Sequence, residues 1–299
     1  MKFLIPSATS TDKVQRFSAR TRGLLLVENM GHPHTYVTDV KDCNKEDLVV
    51  VAKDHNEKHI NYLLENNIKY IYDVSDNHWH RKKFSKSWLY TAKHSLQLTT
   101  TCDYLAEVSK KYTGKTVTVI PDLTERQEEP AKFNPQKEIK MVWYGARINF
   151  NLLDWADIVK KIKAVNFKTQ IDVITNKSKE MPKEYIDWSF ETQGDYVRNC
   201  DIVLLPLGPQ SEHSLGKGNN RPVDAIRQGR FVITTAGSPS YNDLKDYMWI
   251  GDIAEGYSWA LDNPDLVLEK IRAGQKYIEK NYSPTVIANK WIKLSHELC

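Results

Sequence analysis

Short apolar runs alternate with amphipathic stretches through the first part of the chain. Phe3 to Ile5, Thr35 to Thr38, Leu48 to Ala52, Lys69 to Asp73, Leu96 to Thr100 and Thr116 to Ile120 have the length and β-rich content of strands. Leu48 to Ala52 is apolar at every position, as a strand covered on both faces requires. Between them, Arg16 to Asn29 carries apolar residues at helical spacing and stops at Gly31, and Glu57 to Asn67 reads as a second helix. Such βα alternation closes on a parallel sheet.

The segment TERQEEPAKFNPQKE, residues 124–138, breaks the pattern with two prolines and mostly polar or charged residues. After it the alternation restarts. Strands are predicted at Lys140 to Tyr144, Thr169 to Thr175, Ile202 to Pro206 and Phe231 to Thr234, and helices at Leu152 to Val165, Gly194 to Asn199 and Arg221 to Gln228. Two closing helices, Pro264 to Asn281 and Pro284 to Glu297, are separated by the proline at 284. The expectation is an α/β protein with two Rossmann-like, doubly wound domains in series: residues 1–125, a linker 126–138, a second domain 139–281 and a final helix 282–299.

Composition narrows the class. The chain has 299 residues, of which 40% are hydrophobic and 27% charged, which allows two cores and excludes fibrous and disordered readings. No apolar run reaches the length of a membrane span. The apolar stretch at the N-terminus is too short for a signal-peptide core, so a cytoplasmic location is expected. A formal net charge of +4 permits a polyanionic partner. Cys43, Cys102, Cys200 and Cys299 lack paired spacing, and neither a disulfide nor zinc is expected.

In open parallel sheets ligands bind beyond the carboxyl ends of the strands. After Lys140 to Tyr144 come Gly145, Ala146 and Arg147. After Ile202 to Pro206 comes a polar, glycine-bearing loop running to Asn220, then a helix opening at Arg221-Pro222. A helix N-terminus presents unpaired N–H groups and a positive dipole end, which suits phosphate. Arg147, Lys217 and Arg221 would add charge, and Asp224 can accept from ribose hydroxyls. The alternative is that these are solvated loop charges and an ordinary N-terminal helix carboxylate. Neither a P-loop nor a dinucleotide-binding glycine pattern is present.

A second unusual stretch runs from Asn77 to His94. It holds Arg81, Lys82, Lys83, Lys86 and Lys93, three histidines, Trp79, Phe84, Trp88 and Tyr90, and no acid. Interleaved cations and aromatics hold nucleic-acid backbones and stack bases, and also line carbohydrate and anionic-lipid surfaces. The competing reading is a solvated helix whose aromatics face the core. Asp73, Asp76 and His78, at the end of the strand Lys69 to Asp73, are candidates for a general base.

The second half resembles the donor domain of GT-B nucleotide-sugar glycosyltransferases, in particular the retaining group 1 family. The similarity lies in MVWYGARIN, CDIVLLPL and NNRPVDAIRQGRFVITT, and in the ending NYSPTVIANKWIKL, over most of Met141 to Leu298. It implies two Rossmann-like domains facing a central cleft, with the final helix crossing back to the first. It also implies that Arg147 and Lys217 neutralise the donor diphosphate, where Asn220 and Arg221 at the helix start are expected to join them, and that Asp224 stands for the glutamate that binds the ribose. The family's second glutamate is replaced here by Gly216. Ser10 and Arg20, with Trp79, Arg81, Lys82, Lys83 and Lys86, would lie on the acceptor side. If transfer is retaining, the leaving phosphate can take the acceptor proton in place of a protein base.

The expected activity is transfer of a sugar from a nucleotide diphosphate sugar, UDP-sugar favoured, to an acceptor hydroxyl. The nucleotide-sugar is a co-substrate, and no metal or cofactor is expected. The acid-free segment leans the acceptor toward DNA, as in bacteriophage enzymes of this fold that glycosylate hydroxymethylcytosine. The alternatives are a polysaccharide or lipid-linked glycan acceptor and, from another class, a non-catalytic two-lobed binding or scaffold protein.

Overall fold

A computed structural model describes residues 1–5, 20–52, 54–79, 82–176, 185–209 and 211–298. The chain divides into two compact units: Met1–Glu125 with Ser211–Asn219 and Asn281–Cys299, and Arg126–Gln210 with Asn220–Lys280.

The first unit is built on a parallel sheet of β1 (Lys2–Leu4), β2 (Thr35–Val37), β3 (Leu48–Ala52), β4 (Lys69–Val74), β5 (Gln97–Thr100) and β6 (Val117–Val119), in the order β2-β1-β3-β4-β5-β6. Leu4 lies opposite Val51, and Val51 opposite Tyr72. A π-helical turn, Arg20–Leu24, leads into α1 (Leu25–Met30), followed by α2 (Glu57–Glu65), α3 (Lys82–His94) and α4 (Asp103–Thr113). The step from β1 to β2 runs opposite to the steps from β3 to β6, so right-handed crossovers place α1 on one face and α2, α3 and α4 on the other. The cores agree: Leu26 and Met30 pack with Phe3, Val50 and Ile71, whereas Ile60, Leu63, Trp88 and Leu105 pack with Val49, Val51 and Tyr72. The helix Pro284–Leu298 belongs to the α1 face, where Trp291 meets Phe3 edge-on at 5.4 Å.

The second unit repeats the design. Strands β7 (Lys140–Tyr144), β8 (Gln170–Thr175), β9 (Ile186–Asp187), β10 (Ile202–Leu204), β11 (Phe231–Thr234) and β12 (Trp249–Ile250) pair in parallel in the order β12-β11-β10-β7-β8-β9. Their helices are α5 (Arg147–Phe150), α6 (Trp155–Val165), α7 (Phe190–Asn199), α8 (Asn220–Arg227), α9 (Ile253–Asp262) and α10 (Pro264–Tyr282). The chain order reverses between β10 and β7, so the switch point lies beside the end of β7.

Two segments sit differently from the sequence expectation. Most of residues 126–138, read as a linker with little to bury, is bound to the second unit. Phe133 enters its core, Lys132 N donates to Gly229 O at 3.1 Å, and Gln275 Nε2 donates to Glu129 O at 2.6 Å. Ser211–Asn219, read as part of the second domain, packs in the first unit. Asn77 Nδ2 donates to Glu212 O at 2.8 Å and Asn219 Nδ2 to Tyr282 Oη at 2.7 Å.

Candidate functional site

In the second unit the end of β7 and the start of α8 are tied together. Tyr144, the last residue of β7, donates its hydroxyl to Arg221 O at 2.8 Å, and Arg221 Nη1 lies 3.4 Å from Tyr144 O. Gly145 leaves the room for this, since a Cβ there would come within 3.3 Å of Arg221 Nη1. The pair thus holds the Arg221 guanidinium over the switch point, beside the N-terminus of a buried helix. Arg147 opens α5 two residues further on and is half-buried. Asp224, one turn into α8, is 3% exposed. Burial holds the Tyr144 phenol well above its ordinary range, with Asp224 pushing the same way and Arg221 and Arg126 opposing. Tyr144 therefore stays a neutral donor. Sequence reading counted it as the last residue of a strand; only the fold reveals that its hydroxyl fixes the helix start.

Of the expected phosphate set, Arg147, Asn220 and Arg221 belong to this unit together with Asp224, while Lys217 belongs to the first. The position of the missing glutamate has a packing reason. A Cβ on Gly216 would fall 2.7 Å from Asn77 Cβ and 3.5 Å from Leu105, so no longer side chain fits without displacement.

The first unit revises several expectations. Arg20, expected at the acceptor surface, is buried and gripped by Glu125, with Nε donating to Oε2 at 2.6 Å and Nη2 to Oε1 at 2.8 Å. Asp73, a candidate base, is equally buried. It accepts from Thr99 Oγ1 at 2.7 Å and faces Arg22 Nε at 3.5 Å, which is itself 3.0 Å from Asp122 Oδ1. A carboxylate buried against Thr99 and an arginine serves to hold the strand ends together. Trp79, expected to stack on a ligand, is 1% exposed, donates its Nε1 to Ser109 Oγ at 2.9 Å and meets Trp88 edge-on at 5.4 Å. Of the aromatics interleaved with cations, Trp79 just ahead of α3 and Trp88 within it are core residues. Asp76 and His78 are half-buried beyond β4, with the His78 ring edge-on to Trp88 at 5.0 Å. Lys86 and Lys93 are exposed on α3. Ser10 and Arg81 lie outside the described residues, as do the side chains of Lys82 and Lys83.

Among the described residues no group of three or more His, Cys, Asp or Glu is placed to hold a metal ion, and Cys43, Cys102 and Cys200 are unpaired. No described helix is long and apolar enough to cross a membrane.

Neither a protein-family model nor a curated protein matches the chain. Solved structures do. TarM, of which an S. aureus mutant is known in complex with UDP, matches with TM-score 0.65 and 12% identity over 84% of this chain and 55% of its own. The pneumococcal O-GlcNAc transferase GtfA, in complex with UDP and GlcNAc, matches with TM-score 0.62 and 14% identity over 86% and 58%. Anabaena HepE, in complex with UDP-glucose, matches with TM-score 0.61 and 8% identity over 84% and 79%. The chain thus spans little more than half the length of TarM and GtfA. With its two doubly wound units on six-stranded parallel sheets, the chain has the GT-B glycosyltransferase fold.

Proposed function

We propose that this chain is a glycosyltransferase that takes a UDP-sugar and moves the sugar to an acceptor hydroxyl. The observation that carries the reading is the Tyr144–Arg221 clamp, which sets an arginine, a helix N-terminus and buried Asp224 at the switch point of the second unit. The same fold in TarM, GtfA and HepE is found with UDP or UDP-glucose. Arg221, Arg147 and the N–H groups of α8 stabilise the charge that gathers on the departing diphosphate, and Asp224 accepts from the ribose. Fixed charges that need no reorganisation supply the largest share of such catalysis.

The first unit carries the acceptor in this reading, with Asp76 and His78 the groups at its strand ends. Exposed Lys86 and Lys93, on a segment without acids, support a polyanionic acceptor, and hydroxymethylcytosine in DNA is the hydroxyl we propose. Base stacking by Trp79 and Trp88 no longer supports it, because both are in the core.

The test is to incubate the chain with UDP-glucose or UDP-GlcNAc, with and without hydroxymethylcytosine DNA, and to measure UDP release and DNA mass. Release that rises with DNA, with a hexose-sized mass gain lost in Arg221→Ala, is the expected result. UDP release indifferent to DNA refutes the DNA acceptor and points to a glycan. Absence of both release and donor binding refutes the enzyme.

A further inference from the structure

The second unit holds another arginine that the strand ends do not announce, because it opens the segment read as a linker. The Arg126 guanidinium lies over the Phe190 ring, 3.6 Å from its centroid, and Nη2 donates to Phe190 O at 2.8 Å. Phe190 is the first residue of α7, behind the N-cap Ser189. One turn on, Gly194 sits buried inside the same helix, where glycine costs about 1 kcal/mol relative to alanine. The reason is visible in the packing: a Cβ at 194 would come within 2.6 Å of Arg126 Nη1. The bare glycine is the space that the guanidinium fills.

Topology sets this slot at the ligand edge of the sheet. The crossovers β9-α7-β10 and β10-α8-β11 run in the same direction, so their right-handedness lays α7 and α8 on one face, both N-termini toward the carboxyl ends of the strands. Tyr144 lies at that edge too, within the fields of Arg221, Asp224 and Arg126.

We propose that Arg126 is a donor-binding residue that grips the phosphates of the nucleoside diphosphate together with Arg221 and Arg147. The inference rests on the donor site proposed above and extends it. A guanidinium stacked on one face and hydrogen-bonded at one end has its rotamer fixed before the ligand arrives, so binding orders little further. With one Nη2 hydrogen given to Phe190 O, the guanidinium keeps further N–H donors in a rigid plane for phosphate oxygens, a fixed geometry that a lysine ammonium lacks.

The experiment is calorimetric titration of UDP and of uridine into the full chain and into Arg126→Gln, Arg126→Lys and Gly194→Ala. Arg126→Gln should weaken UDP about tenfold to a hundredfold, with uridine changed less than about twofold, and lysine should restore only part of the loss. Gly194→Ala leaves the arginine in the sequence and displaces its guanidinium. It should weaken UDP severalfold while the melting temperature holds or rises, since alanine is the better helix former. UDP affinity unchanged in Arg126→Gln and Gly194→Ala, with tight binding to the parent chain, overturns the inference and leaves the donor site standing. Equal losses for UDP and uridine overturn it as well, by reducing Arg126 to a structural role. A parent chain that binds no UDP overturns the donor reading itself, and this inference with it.

Discussion

Replacing Glu125 with alanine strands Arg20 inside the first unit. The two side chains are 6% and 2% exposed and joined by two short hydrogen bonds of 2.6 and 2.8 Å. An exposed pair of this kind would contribute less than about 1 kcal/mol. Removing one partner of a buried pair leaves a charge without compensation and costs about 3–5 kcal/mol. That is a large share of the roughly 5–15 kcal/mol that stabilises a domain. Glu125→Ala and Arg20→Ala should each lower the urea midpoint by about 1 M or more, at a slope of roughly 2–3 kcal/mol/M. The apolar double variant, Arg20→Met with Glu125→Leu, removes both charges at similar volume and should recover most of the loss. In the cycle built on Arg20→Met, Glu125→Leu and their combination, each single variant leaves one buried charge unpaired and the double leaves none, so the coupling should be about 3 kcal/mol or more. Far-UV circular dichroism with urea measures all four chains. A coupling below about 1 kcal/mol would refute the reasoning, and a fully stable Arg20→Ala chain with weakened acceptor binding would return Arg20 to the acceptor surface.

Two further outcomes follow from burial. Trp79→Ala should cost about 3–5 kcal/mol of stability, because the ring is packed against Trp88 and bonded to Ser109; unchanged stability with lost DNA affinity would make it a ligand contact after all. Burial pushes the Cys200 thiol up to about 12 and the Cys43 thiol up to about 11, so at pH 8 a disulfide reagent should label neither until urea is added. Above pH 9 the unfolded chain gives up thiol protons that the folded chain keeps. Stability must therefore fall as pH rises from about 9, and a midpoint that rises with pH there would contradict the assignment.

Much of the architecture is legible in local pattern. Leu48–Ala52, Lys140–Tyr144 and Phe231–Thr234 are read at the bounds the structure shows, because a short β-branched or aromatic run buried on both faces has few other conformations. Arg221 and Asp224 are legible as a pair because a loop entering a helix after a parallel strand has one place to be, the carboxyl edge. Asp103–Thr113 and Ile253–Asp262 are not read as helices. The first buries little beyond Leu105 and Ser109, and the second carries Gly256 in its middle, so the periodic signal is weak in each.

The roles of individual charged and aromatic residues divide along the same line. Sequence alone determined the α/β class and the two Rossmann-like, doubly wound units, since these follow from periodicity and the handedness of crossovers. Whether a given side chain reaches solvent or a buried partner depends on residues far along the chain. Glu125 meets Arg20 across 105 positions and Arg221 meets Tyr144 across 77. Only the tertiary structure brings such pairs together, and so it alone decided that Arg20, Asp73 and Trp79 hold the first unit together and that Arg126 stacks on Phe190 in the second.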